Sequence, residues 1–301
     1  MDVRLLMTVE CGDRLGEGLI WDERTGEFLW TDITGRRFHS LDPDSGKHTH
    51  QELPKRLCAF GLTAEPNILI AAFDDGVALL NRRSLAMEWL ARPEMHPGTR
   101  LNDGRTGPDG RFWVGSMVED PQIAGGMACG ALYCVDSQGN MSSHRDGIGI
   151  SNGICWSPDA RTLYFADTPR GEVNKIEYDP ATGTLGPETA WLTFTGSGKP
   201  DGAITDEQGI YWSALWGEGC VAGFDSRGRE VDRLSLPVPF ATCPALGGSS
   251  GSLMGVTTAR ARANGMPQTR ELAGEGNMFV FETNLIGRPA FRWSGTVGMS
   301  R

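Results

Sequence analysis

A short phrase recurs six times along the chain, and no other feature narrows the choice of fold so far. Its copies are Gly18-LIWDERTGEFLWTD, Gly61-LTAEPNILIAAF, Gly104-RTGPDGRFWVGSM, Gly153-ICWSPDARTLYFADT, Gly202-AITDEQGIYWSAL and a more worn Ala245-LGGSSGSLMGVTT. Each reads as a short strand, a turn and an apolar strand. The starting positions 18, 61, 104, 153, 202 and 245 are 43, 43, 49, 49 and 43 residues apart, close to the ~40 to 50 residue period of four-stranded propeller blades. A third strand-like run follows each pair: GRRFHSLDP, GVALLNR, GALYCVDSQG, GEVNKIEYDP, GCVAGFDSRG and GNMFVFET. The expectation is an all-β, six-bladed β-propeller occupying residues 1–301 as a single domain, because a ring of blades has no internal boundary. The opening run Val3-RLLMTVE and the closing run Pro289-AFRWSG are both placed in the final blade. An irregular sandwich would need six matches by chance.

In a propeller the innermost strand of each blade lines the central channel. The residue before each repeat start is, in order, Glu17, Phe60, Asp103, Asn152, Asp201 and Pro244. Four of the six bear side-chain oxygens on strands that are otherwise apolar. Carboxylates that converge lose hydration and repel one another, so they take up protons or share a cation. The set offers hard oxygens without His or Cys, which suits one divalent ion such as calcium, magnesium, manganese or another first-row metal. The competing reading is that these side chains cap strand ends and bond to backbone, as Asp and Asn before Gly do in loops.

A second polar group is Arg100-Leu101-Asn102-Asp103-Gly104. A regular strand would turn Arg100 and Asn102 to one side and Asp103 to the other, although a loop leading into a blade need not keep the pleat. Arg100 and Asn102 offer donors to hydroxyl or carboxylate groups, and Glu119 offers an acceptor. An arginine bonded only to loop carbonyls is the plain alternative for Arg100.

Charge and cysteine usage narrow the partners. Lys and Arg number 28 against 38 Asp and Glu, a net charge of -10, and no basic run is present to neutralise a phosphate backbone, so nucleic acid is not expected. No segment reads as a membrane span or a signal peptide, and the expected location is the cytoplasm. The seven cysteines are scattered without zinc-site spacing and are expected to be small buried hydrophobes. The five histidines, His39, His48, His50, His96 and His144, show no ligand spacing and are expected at the surface.

The phrases GEGLIWDERTGEFLWTDI, RLNDGRTGPDGRFWVGSM, ISNGICWSPDARTLYFADT, KPDGAITDEQGIYWSALWG and GRPAFRW together resemble the gluconolactonase, regucalcin and senescence marker protein family, six-bladed propellers with one divalent metal in the channel. The resemblance spans essentially the whole chain. It implies that Glu17, Asn152 and Asp201 are metal ligands and that Arg100, Asn102 and Glu119 hold the substrate, with Asp103 behind them. The implied metal is one of calcium, zinc, manganese, magnesium or ferrous ion. The implied reaction is hydrolysis of a neutral sugar lactone to the aldonic acid, with Asp201 also accepting the proton of the attacking water. Two alternatives are a metal-dependent phosphotriesterase or arylesterase, and a non-enzymatic calcium-binding regulatory protein. The chain departs from the family at Ala222 and Gly223, where an arginine is often found, and at Ala245-Leu246-Gly247-Gly248-Ser249-Ser250.

Overall fold

The computed structural model describes residues 2–260 and 272–298. In chain order the strands are β1 (Arg4–Val9), β2 (Gly16–Asp22), β3 (Glu27–Asp32), β4 (Arg37–Asp42), β5 (Lys47–Glu52), β6 (Leu57–Leu62), β7 (Ile68–Phe73), β8 (Gly76–Asn81), β9 (Met87–Ala91), β10 (Thr99–Thr106), β11 (Phe112–Val118) and β12 (Gly130–Val135). They continue with β13 (Met141–Ile148), β14 (Ser151–Trp156), β15 (Thr162–Asp167), β16 (Glu172–Asp179), β17 (Thr184–Thr193), β18 (Lys199–Thr205), β19 (Tyr211–Trp216), β20 (Cys220–Phe224), β21 (Glu230–Ser235), β22 (Ala241–Gly247), β23 (Leu253–Thr258) and β24 (Met278–Glu282). A short α-helix, α1 (Pro121–Ala124), joins β11 to β12, and a 3-10 turn, Thr168–Arg170, follows β15. Among the described residues no helix is long and apolar enough to cross a membrane.

The strands form six four-stranded sheets, the blades of a six-bladed β-propeller. Blades I to V are the consecutive meanders β2–β5, β6–β9, β10–β13, β14–β17 and β18–β21. Blade VI has the order β1-β24-β23-β22, so the first strand of the chain completes the last sheet, with Arg4 opposite Glu282 and Val9 opposite Met278. The placement of the opening run therefore holds. The closing run does not join it: Trp293 donates its backbone N–H to Leu62 O at 2.8 Å and its indole Nε1 to Asp136 O at 3.0 Å. Trp293 is only 2% exposed and packs with Phe112, Val114 and Tyr133. Apolar burial and two satisfied carbonyls outweigh a further sheet position that β1 has already filled.

The chain divides into two compact units, residues 1–56 with 191–289, and residues 57–190 with 290–301. In the first, Trp30 and Trp212 are fully buried on the second strands of blades I and V, and each indole N–H is satisfied by a carboxylate, Asp13 at 2.8 Å and Asp206 at 2.9 Å. In the second, Trp113 fills the equivalent place in blade III and donates to the Tyr178 hydroxyl at 3.3 Å.

Two features of the blades position the polar groups that follow. The inner strand of every blade carries one extra residue against its partner, between Glu17 and Ile20, Leu57 and Ala59, Leu101 and Gly104, Asn152 and Cys155, Pro200 and Ala203, and Ala241 and Pro244. Such a bulge leaves a residue outside the ladder and re-aims its side chain. In β2 and β14 the bulge is built on Gly18 and Gly153 at φ of 63° and 64°, a region that a residue with a Cβ avoids. The second feature is an aspartate closing the second strand. Asp32 accepts from the Arg14 and Leu15 N–H groups at 3.1 and 3.0 Å, and Asp167 accepts from Gly149 and Ile150 at 3.2 and 3.1 Å. Each carboxylate thus fixes the backbone that leads into its own inner strand.

Candidate functional site

In the second unit, β6, β10 and β14 lie side by side as the inner strands of blades II to IV. Their polar side chains form one continuous chain of bonds. Arg100, on β10 and 6% exposed, donates from Nε to Glu119 Oε1 at 3.2 Å and from Nη1 to Asn102 Oδ1 at 2.8 Å and Leu101 O at 2.9 Å. Asn102 passes the chain on, its Nδ2 donating to Asn152 Oδ1 at 3.1 Å and to Ser151 O at 3.0 Å. Asn152 in turn donates from Nδ2 to the Thr168 hydroxyl at 2.9 Å. Four of the six expected site residues, Arg100, Asn102, Glu119 and Asn152, are therefore brought together.

The network has directional consequences. Nε and Nη1 of Arg100 are committed, while Nη2 has no acceptor among the described residues, so a buried guanidinium holds two N–H groups in reserve. The arginine also bonds one backbone carbonyl, but its remaining bonds run to side chains, which is more than a loop brace requires. At the far end Thr168 and Asn102 fix the Asn152 amide, and one lone pair of its oxygen stays available. Glu119 follows β11 and its side chain is 44% exposed, at the solvent end of the chain.

Asp103 points the other way. Its Oδ2 accepts from Ile154 N at 3.1 Å, tying β10 to β14. Burial pushes its carboxyl above the usual carboxylate range, against the opposing pull of Arg105 and the backbone N–H groups. The alternation of side chains across the strand, with the bulge between Leu101 and Gly104, separates Asn102 from Asp103. Among the four oxygen-bearing residues ahead of the repeats, Asp103 thus braces its strand against the backbone of the neighbouring inner strand.

In the first unit, β2, β22 and β18 are neighbouring inner strands, with β22 in the middle. Glu17 on β2 and Asp201 on β18 are buried carboxylates, 8% and 5% exposed. Glu17 Oε2 accepts from the Gly18 N–H at 3.2 Å, within its own bulge. Pro244 occupies the matching place on β22 and offers no side-chain donor or acceptor. Two buried carboxylates are hard donors whose chemistry fits a divalent cation. Among the described residues no three His, Cys, Asp or Glu side chains gather as a metal centre.

Sequence reasoning missed Thr168 and misplaced His39, while His50, His96 and His144 are exposed as expected. Thr168 follows the apolar strand of the fourth repeat, where ADT reads as the end of a strand. His39 is fully buried beneath His48, against the expectation of a surface residue, because Asp13 and Trp30 give it a polar partner and a stacking face. His144 rests against Trp113 with ring centres 4.9 Å apart. The cysteines are as expected, six of the seven being buried and none in a disulfide.

Comparison with known proteins agrees with this architecture. The chain is 34% identical over 282 residues to the 6-deoxy-6-sulfogluconolactonase of Pseudomonas putida, covering 91% of this chain and 92% of that one. It is 31% identical over 301 residues to the pentonolactonase of Haloferax volcanii, covering 97% and 98%. The crystal structure of a calcium-binding protein, regucalcin, from Agrobacterium tumefaciens superposes with a TM-score of 0.85 at 32% identity, over 96% of this chain and 97% of that one. The lactonases among these relatives are hydrolases of the cyclic ester bond. Residues 15–260 match the SMP-30/Gluconolactonase/LRE-like region, and the chain belongs to that family.

Proposed function

We propose that this protein hydrolyses a neutral sugar lactone to its aldonic acid with the help of one divalent cation. The observation that carries this reading is the Arg100 guanidinium, buried, fixed on two of its nitrogens and open on the third. A polyhydroxylated ring gives Nη2 an oxygen to bind, and the exposed Glu119 carboxylate an O–H to accept from. Asn102 serves both ends, holding Arg100 through its oxygen and Asn152 through its amide nitrogen. Glu17, Asn152 and Asp201 are the residues that would hold the cation. When bound, such an ion polarises the lactone carbonyl and stabilises the negative charge that develops on its oxygen.

The remaining steps belong to the chain. Asp201 accepts a proton from the attacking water, since no histidine stands at the repeat-start positions, Glu119 is committed to Arg100 and Glu17 holds the Gly18 N–H. Arg100 and Glu119 fix the ring so that one face of the carbonyl meets that water, which lowers the barrier through orientation. The 6-deoxy-6-sulfogluconolactonase and pentonolactonase activities of relatives at 31 to 34% identity support the reaction class and differ in sugar.

The test is proton release, read by pH indicator, on a panel of aldono-1,4- and 1,5-lactones, with chelated protein and with calcium, zinc, manganese, magnesium or ferrous ion restored. Turnover that requires metal and is lost in Asp201→Ala is the expected result. Substantial turnover by Asp201→Ala with metal still bound would overturn the proton-accepting role. Tight calcium binding with no lactone hydrolysed would favour the regulatory reading instead.

A further inference from the structure

Three histidines share one face of the outer half of blade I. His39 on β4 stands opposite His50 on β5, and His48 is two residues before His50 on that same strand, so all three side chains project to one side. Their ring centres are 5.2 Å apart for His39 and His48, 5.5 Å for His39 and His50, and 6.2 Å for His48 and His50. Trp30 stacks on His39 at 4.8 Å and faces His48 at 5.3 Å, both at 12°. Exposure rises from buried His39 through half-buried His48 to exposed His50, and β5 is the open edge of its sheet.

The hydrogen-bond chemistry fixes the tautomers in sequence. Asp13 is 1% exposed and receives Trp30 Nε1 at 2.8 Å and an Arg37 Nη2 at 3.1 Å. As a carboxylate it can only accept, and His39 Nε2 stands 3.2 Å from Asp13 Oδ1 without hydrogen-bond geometry, so electrostatics favours the proton on that nitrogen. His39 Nδ1 is then an acceptor, and His48 Nε2 at 3.0 Å is its donor. The His48 nitrogen left outside that contact is Nδ1, and the centre of the exposed His50 ring stands 6.2 Å from the centre of the His48 ring. Imidazole pairs two residues apart on an exposed strand edge suit nickel, copper(II) and zinc, and a ligating histidine characteristically gives its other N–H to an acceptor that orients it.

We propose that His48 and His50 form a surface site for a borderline transition-metal cation, completed by water, with His39 and Asp13 as positioning residues. A 6.2 Å ring separation closes onto two metal–nitrogen bonds of about 2.0–2.1 Å by a small turn of exposed His50. Arg37 adds positive charge nearby but is itself paired with Asp13 and Asp32, and the net charge of the chain is -10. The site uses nitrogen donors and lies three strands, roughly 14 Å, from Glu17 in the same sheet. It is independent of the oxygen donors proposed for lactone hydrolysis.

Copper(II) and nickel(II) are the probes, added to the chelator-stripped full chain. Electron paramagnetic resonance of the copper-loaded protein is expected to show nitrogen hyperfine coupling, which an all-oxygen site does not produce. Calorimetric nickel affinity is expected to fall by more than about 10-fold in His50→Asn and by about 10-fold in Asp13→Asn, with lactone hydrolysis unchanged in His50→Asn. His50 is exposed, so that variant retains the fold. Nickel binding of equal strength in wild type and a His48→Asn, His50→Asn double variant, or copper spectra without nitrogen coupling, would overturn the proposal.

Discussion

The half-buried ring of His48 makes the stability of blade I depend on pH in a definite direction. Desolvation is the main cause of its lowered pKa; His39, His50 and Arg37 reinforce it, and Asp13 opposes it. The folded ring therefore takes up a proton at about pH 4, where a free imidazole does so near 6.5. Between these values the unfolded chain binds the extra proton and the folded chain does not. The stabilisation is present above pH 6.5 and is lost as pH falls toward 4. The full gap corresponds to about 3.4 kcal/mol at about 1.36 kcal/mol per pH unit. The ring lies on a solvated sheet edge where screening is strong, so about 1–2 kcal/mol is the expected effect. Urea unfolding followed by tryptophan fluorescence, in chelating buffer at pH 7.5 and pH 4.5, measures it in wild type and His48→Asn. Carboxylate protonation lowers the stability of both proteins alike and cancels in the difference. Wild type is expected to lose about 1–2 kcal/mol more than the variant between the two pH values. Equal losses, or a larger loss in the variant, would refute the reasoning.

Other substitutions probe the site and the blades. Thr168→Val removes the acceptor of Asn152 Nδ2 and is expected to weaken metal affinity by about 10-fold, read by competition with a chelator, while the melting temperature changes little. Ser151→Ala is expected to be neutral or slightly stabilising in thermal melts, because the Ser151 hydroxyl is buried without a hydrogen-bond partner. Gly202→Ala would bring a Cβ to 2.8 Å from Thr242 O and 2.9 Å from the Cys243 Cα. Both are backbone atoms that cannot step aside, so a loss of about 1–3 kcal/mol is expected in urea titrations.

The blades were legible because their information is local. Each repeat holds a strand, a turn and a strand within about fifteen residues, and the third strands follow at once, so β4, β8, β12, β16, β20 and β24 fall where the apolar runs stand. Asn152 was legible for a related reason, since its place ahead of Gly153 recurs in register with Glu17 and Asp201. What the sequence hid depends on distant partners. Trp293 bonds a carbonyl 157 residues earlier, and nothing in Pro289-AFRWSG marks that destination. His39 is a polar residue in an apolar core because Asp13, outside the β4 and β5 strands, neutralises the cost of burying it. The separation of Asn102 from Asp103 follows from alternation along β10, yet only the bulge shows which of the two reaches Asn152.

The pairing of β1 with β24 sets an order of events during synthesis. Strand β1, made before the other strands of the six blades, has no partner until residues 278–282 have been made, so it is placed late. At about 5–20 residues per second, its exposed Leu5 and Leu6 spend on the order of ten seconds or more unpaired. A nascent chain of this kind offers a waiting strand to any chaperone, or to the open edge of a second nascent copy, before its own closing sheet exists.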